Sequence, residues 1–243
     1  MRVKKLFCSL FFLGIATCSL QKANATTNSS INSFAIDQEK FEECLEKMPH
    51  PWKGHRAFAE WLVKEIKPSQ VVDLGVDYGF STFIFANAAM KNGQGVVTGV
   101  DLFMGDPMTG FRDTYTEVMQ IVNDLNFYNM EIIRGEFSEV SKTWDRPIDL
   151  LHIDGLHTYE AVLNDYNNWS SFVTENGIIL FHDINVPENP DFQVVKFFRE
   201  LSGGYKLYFL HSYGLGIFTK NEQLYEKIKN AFDNVYDDAK TPL

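Results

Sequence analysis

Two short segments carry most of the residues equipped for chemistry. His152-Ile153-Asp154-Gly155-Leu156-His157 and Phe181-His182-Asp183-Ile184-Asn185 each place a carboxylate and imidazoles at the end of an apolar, strand-like run. Facing one crevice, Asp154, His157, His182 and Asp183 offer the oxygen and nitrogen donors that hard or borderline divalent cations require. Without a cation or hydrogen-bonding partners, carboxylates so close repel, and one of them is driven toward its neutral form. His157 suits a general base, because an imidazole titrating near neutrality can take a hydroxyl proton. The same residue would equally serve to cap the helix that follows or to bond a backbone carbonyl. His152 lies within its strand and reads as a satisfied core residue. Tyr159, Tyr166 and Trp169 recur at helical spacing, which reads as packing.

A second constellation is built on glycine. Residues 71–82, Val-Val-Asp-Leu-Gly-Val-Asp-Tyr-Gly-Phe-Ser-Thr, read as an apolar strand, a glycine turn and a helix capped by Ser81 or Thr82. Glycine at 75 and 79 permits positive φ or close approach of the backbone to a ligand. In an open α/β sheet, the turn at the carboxyl end of the first strand is where ligands dock. The spacing departs from G-x-G-x-x-G, which disfavours a nicotinamide dinucleotide, and no G-K-[ST] marks a phosphate loop. Asp101 ends the next apolar run, where a carboxylate can accept both hydroxyls of a ribose. Glu136 and Phe137 follow the third run, although Glu136 also suits a helix N-terminus.

Positioning these groups takes a sheet. Apolar β-prone runs at 71–74, 96–100, 130–133, 148–153 and 178–181 alternate with amphipathic stretches at 81–91, 113–125, 136–143, 159–173 and 192–201. That alternation predicts a mostly parallel α/β sheet with helices on both faces. Helices at 38–48 and 55–67 precede it. A hairpin, 206–211 and 215–219 around Ser212-Tyr213-Gly214, and a helix at 222–232 close it.

The run I-D-G-x-H-x-Y-E-x-V-x-x-D-Y-x-x-W at 153–169, followed by G-x-I-x-F-H-D at 177–183, resembles a bacterial family known as methyltransferase domain 24. That family is related to macrolide-sugar O-methyltransferases and to cephalosporin hydroxylase-type methyltransferases, and the glycine loop resembles motif I of class I methyltransferases. The resemblance implies a Rossmann-like fold with a mostly parallel seven-stranded sheet and an antiparallel C-terminal hairpin strand. It implies S-adenosylmethionine as cofactor, held by Asp73, Gly75, Asp77, Gly79, Ser81 and Asp101, with Glu136 and Phe137 at the adenine. It also implies a divalent metal, Mg²⁺ or Mn²⁺, on Asp154, His182 and Asp183. Relatives carry a carboxylate where His182 stands, and a nitrogen there shifts preference toward Mn²⁺, Fe²⁺ or Zn²⁺. Asp154 and His157 become the catalytic pair for O-methylation of a small hydroxylated acceptor, and residues 103–112 a lid near it. The competing readings are a metal-dependent hydrolase built on the same acids and histidines, and an inactive nucleoside- or metal-binding relative.

At 243 residues, 45% of them hydrophobic, the chain accommodates one core comfortably and two poorly. Arg2, Lys4 and Lys5, the apolar run 6–16 and Ala23-Asn24-Ala25 form a signal-peptide pattern, predicting a leader at 1–25, a flexible lead-in at 26–36 and one domain at 37–243. Cleavage would remove four basic and no acidic residues, leaving 18 basic against 32 acidic and a net charge of −14. So acidic a surface argues against nucleic acid or an anionic membrane as partner. Cys44 would remain as the single cysteine, which excludes an intrachain disulfide. Export and a cytoplasmic cofactor conflict; the leader pattern favours export, periplasmic or secreted, to a setting that supplies the cofactor, and the alternatives are a misassigned start, which leaves the chain cytoplasmic, and a leader that anchors it while the domain stays inside. Association with further copies of the chain is left open by the sequence.

Overall fold

The computed structural model describes residues 36–49, 51–241 and 243. The expected leader, and all of the lead-in except Ile36, fall outside the described residues. Ile36 is buried against the core, so the packed residues include one that precedes the expected domain start.

Among the described residues ten strands follow one another. They are β1 (Gln70–Leu74), β2 (Val96–Asp101), β3 (Gly105–Asp106), β4 (Gly110–Phe111), β5 (Met130–Arg134), β6 (Ile148–Ile153), β7 (Val173–His182), β8 (Tyr205–Phe209), β9 (Leu215–Thr219) and β10 (Tyr236–Asp237). Eight of them form one sheet in the order β10-β8-β9-β7-β6-β1-β2-β5, while β3 and β4 pair apart from it as a small hairpin. The pairs β5/β2, β2/β1, β1/β6 and β6/β7 are parallel, and those of β9 with β7 and β8 are antiparallel. From β1 the chain steps outward to β2 and β5, then returns to the other side of β1 as β6. That reversal makes β1/β6 the switch point, where a crevice opens beyond the carboxyl ends of the strands.

Helices cover both faces, so the central strands are buried on both sides and read as continuous apolar runs rather than alternating ones. On one face α1 (Gln38–Lys47), α2 (Arg56–Ile66), α3 (Phe80–Lys91), α4 (Tyr115–Asp124) and α8 (Glu222–Ala231) contribute Phe41, Phe58, Phe83, Val118 and Ile228 to a single cluster. The other face is covered by α5 (Phe137–Ser141), α6 (Tyr159–Trp169) and α7 (Val194–Glu200), with Val162, Trp169, Phe197 and Phe198 packed together. α3 is buried from Phe80 through Ala89 because it is sandwiched between the sheet and α2. Truncating Phe83 there to alanine costs about 3–5 kcal/mol.

The expected strands and the mostly parallel sheet are present. β7 starts earlier than its apolar run, because the exposed segment Glu175-Asn176 precedes the buried part, and its pairing with β6 shifts register between Ile148 and Leu150. β10 is an eighth sheet strand beyond the seven expected, a two-residue edge held by Tyr236 stacked on Tyr208 at 5.2 Å. Before α2 the chain forms a short 3-10 helix, Pro51–His55, that buries Trp52 and His55. No described helix is long and apolar enough to cross a membrane.

Candidate functional site

At the switch point lies a cavity of about 730 Å³, walled by the glycine loop, by the ends of β2, β5, β6 and β7, and by α6. A second cavity of about 510 Å³, beside α1 and α4, holds none of the clustered acids and imidazoles.

The glycine loop brings two strand ends together. Gly75 has φ +102°, and a Cβ there would sit 2.0 Å from the carbonyl oxygen of Asp154. Only glycine lets β1 and β6 end side by side this closely. Asp77, also left-handed at φ 48°, donates its N–H to Asp101 Oδ2 at 2.8 Å, and its carboxylate accepts from Arg112 Nε at 2.8 Å and from a terminal guanidinium nitrogen at 2.7 Å. Arg112 follows the β3–β4 hairpin, the segment expected to be a lid, so this fork ties the hairpin to the glycine loop. Asp101 accepts two backbone N–H groups, from Asp77 and from Phe103 at 2.6 Å, one on each oxygen. Burial still pushes its pKa up against those bonds. Each oxygen keeps further acceptor capacity on the cavity wall.

Gly75, Asp77, Asp101, Glu136 and Phe137 line the cavity. Asp73, Gly79 and Ser81 are not among its lining residues. Asp73 is fully buried, and its carboxylate takes the Ser81 hydroxyl at 2.8 Å, the Thr82 hydroxyl at 2.6 Å and His152 Nδ1 at 2.7 Å. Trp52 Nε1 donates to His152 Nε2 at 3.2 Å, which leaves the proton on Nδ1 and fixes the tautomer. Gly79, at φ +92°, starts α3 where any side chain would strike the Phe83 ring. These three residues therefore hold the loop from behind. The full burial of His152 and the bonds on both its nitrogens match the core role expected of it.

The acid and imidazole cluster does assemble. Asp154, His182 and Asp183 each present one donor atom, all within 4.8 Å of one another. Side chains alternate along a strand, so consecutive residues normally face opposite sides. His182 and Asp183 share the crevice because Asp183, just past the end of β7, turns left-handed at φ 59°. The His182 ring is aimed from behind: Nε2 donates to the Ser212 carbonyl at 3.0 Å, which directs Nδ1 toward Asp154 Oδ1 and Asp183 Oδ2, each at 3.3 Å. Burial would lower the His182 pKa, but the two carboxylates outweigh it and hold it well above its ordinary value. For Asp183, burial is likewise outweighed, by the charge of His182 and by the bond from His157, so its pKa is lowered. Nδ1 between two carboxylates therefore calls for a cation, either a proton or a metal. Two oxygens and one imidazole nitrogen converging in this way fit a divalent metal.

His157 joins the cluster indirectly. Its Nε2 lies 2.8 Å from Asp183 Oδ2, its ring stacks on Phe192 at 4.1 Å, and its Nδ1 is buried without a partner. Burial works to lower its pKa, but Asp183, Asp154 and Asp106 outweigh it and raise it. The N-cap of α6 is Thr158, which accepts from Ala161 N, so capping is not the job of His157. Sequence reasoning did not single out His55, whose Nε2 lies 3.2 Å from the same Ser212 carbonyl and whose pKa falls to about 3, chiefly through burial and then through the charges of His182 and His211. Nothing in the spacing of Pro51-Trp52-Lys53-Gly54-His55 reports that a residue so early in the chain meets a hairpin turn so late.

Residues 72–184 match the family profile described as Methyltransferase domain, Methyltransf_24. The resemblance read from 153–169 and 177–183 is thereby borne out. An uncharacterized protein of Sinorhizobium fredii, y4gI, is 33% identical over 184 residues, which cover 73% of this chain and 20% of that protein. The chain thus spans about a fifth of the length of this curated relative. Among solved structures, the O-methyltransferase of Bacillus cereus in complex with SAH aligns with TM-score 0.57 at 13% identity, covering 79% of this chain and 94% of that one. TomG of Streptomyces achromogenes, an O-methyltransferase of tomaymycin synthesis in complex with SAM, aligns at 0.55 and 13% identity, covering 78% and 93%. A rRNA methylase of Streptococcus thermophilus aligns at 0.51 and 16% identity, covering 68% and 95%. The fold is therefore that of the class I methyltransferases.

Proposed function

We propose that this chain, whose residues 72–184 match a methyltransferase-domain profile, transfers the sulfonium methyl of S-adenosylmethionine to a hydroxyl oxygen of a small acceptor. The observation that carries the reading is the continuity of one cavity from Asp101 and the glycine loop to the Asp154, His182 and Asp183 cluster. Gly75 and Asp77 border the cofactor's chain, Asp101 accepts the ribose hydroxyls, and Glu136 with Phe137 borders the base. When bound there, S-adenosylmethionine would supply an electrophilic methyl group to the acceptor oxygen, with S-adenosylhomocysteine as the leaving product.

Asp154, His182 Nδ1 and Asp183 would hold a divalent cation, Mg²⁺ or Mn²⁺, that orients the acceptor hydroxyl and makes it more acidic. Asp183 and His157 both line the cavity, 2.8 Å apart, so the hydroxyl proton would pass to this pair, with the Asp183 carboxylate stabilising the His157 imidazolium. Orientation and charge stabilisation supply most of the acceleration in such a site. Leu102 and Leu156 on the cavity wall and Met104 and Phe111 on the hairpin are exposed, Phe111 by 74%. They suit an acceptor with an apolar body beside its hydroxyl. The net negative charge favours such an acceptor over RNA.

Calorimetric titration of the purified chain with S-adenosylhomocysteine tests the cofactor, with and without Mn²⁺. Binding in the micromolar range that Asp101→Ala weakens at least tenfold is expected; no binding under any metal condition would remove the proposal and leave the hydrolase or the inactive relative. The proposal also keeps the exported location read from residues 1–25, which N-terminal sequencing of the protein from culture supernatant would check.

A further inference from the structure

One carboxyl in the cavity has no role in the mechanism above. Asp165 lies on α6, is 6% exposed and lines the cavity, and among the described residues it has no hydrogen-bond or ion-pair partner. Buried carboxyls are normally bonded, and each exception calls for an explanation. Val162, Asp165 and Trp169 form the buried stripe of α6, so an acid interrupts a face that otherwise packs. With desolvation unopposed, its pKa rises to about 7. The neutral acid carries an O–H donor and a carbonyl acceptor side by side.

Its surroundings define what could meet it. A Cβ on Gly155 would lie 2.6 Å from the Phe137 ring and 3.1 Å from Asp165 Oδ2, so glycine there lets the aromatic ring and the carboxyl pack onto one stretch of backbone and border the cavity side by side. Ala161, one turn before Asp165, also lines this wall and adds no bulk to it. A flat heterocycle with a ring-nitrogen acceptor next to an amine donor is complementary to both. Phe137 belongs to the loop that the proposed function places beside the cofactor's base.

We infer that Asp165 recognises the amino edge of the cofactor's purine, its carbonyl accepting from the exocyclic amine and its O–H donating to the neighbouring ring nitrogen. The inference rests on the methyltransferase reading and names the group that selects the base. Asp165 is then a binding residue that makes no contact with the transferred methyl.

The test is a binding cycle on the full chain with two probes, S-adenosylhomocysteine and its purine analogue lacking the 6-amino group. In the wild type, loss of the amino group weakens binding about tenfold. In Asp165→Leu the two probes bind within about twofold of each other, whereas Asp165→Asn, which keeps one donor and one acceptor, retains the preference. Thermal unfolding of each variant confirms that it is folded. Equal weakening of both probes in Asp165→Leu, or an undiminished preference, overturns this inference and leaves the methyltransferase reading standing. Failure of the wild type to bind S-adenosylhomocysteine overturns both.

Discussion

Asp73, behind the glycine loop, and Asp165, on the cavity wall, are both buried carboxyls, yet three side chains donate to the first and none to the second. The contrast separates architecture from ligand recognition. A carboxylate ringed by donors contributes to holding a loop, and removing it strands every donor around it. A carboxyl without donors lowers stability by its presence, and is best explained by a partner that comes from outside. The cluster of Asp154, His182 and Asp183 lies between these extremes, aimed by Ser212 and suited to a cation.

The sharpest way to break the comparison is to delete Asp73. Asp73→Ala leaves His152, Ser81 and Thr82 without their acceptor and is expected to cost about 3–5 kcal/mol in urea unfolding. A loss under about 1 kcal/mol would show that the donors are satisfied in some other way. Next comes Asp183→Asn, expected to reduce methyl transfer by about 10²–10⁴-fold while the unfolding midpoint moves little; activity near wild type would remove Asp183 from the reaction. Asp165→Leu should do the opposite of Asp73→Ala and raise stability at pH 8 by about 1–2 kcal/mol.

The pH dependence sharpens the same point. The folded-state pKa of Asp165 is about 7, above that of an unfolded aspartate. Between about pH 4 and 7 the folded chain keeps a proton that the unfolded chain has released, so this residue makes stability fall as pH rises through that window and level off above it. Subtracting the curve of Asp165→Leu from that of the wild type isolates the slope, and a flat difference would mean that Asp165 has a partner after all. The smallest effect is expected from Arg112→Ala. This half-exposed ion pair with Asp77 contributes under about 1 kcal/mol to stability, but its loss frees the β3–β4 hairpin, so hydrogen exchange there should quicken.

The parts of the molecule that were legible in the sequence are those where one physical demand dominates. β1, β2, β6 and the second half of β7 are covered on both faces and so run mostly apolar, and Gly75 must be glycine. Asp154, His182 and Asp183 were found because their residue types are costly at strand ends unless they serve a ligand. The hidden parts depend on contacts distant in sequence. Asp73 looked like a cofactor ligand because its contact with His152 comes from another strand. β10 is two residues long, too short for any periodicity. Asp165 did leave a signal, an acid three residues after Val162 and four before Trp169 on one helical face. It was passed over because the aromatic spacing there already accounted for the helix.

The Ser212 carbonyl, which directs His182 at the acids and lies within reach of His55, has a consequence for how the molecule can be divided. The inherited signature occupies 72–184, while this oxygen and the His55 and Trp52 rings come from outside it, on both flanks. A graft of 72–184 into another scaffold would transplant all three candidate ligands yet lose the anchor that sets the angle of one, and so copy the vocabulary of the site without its grammar.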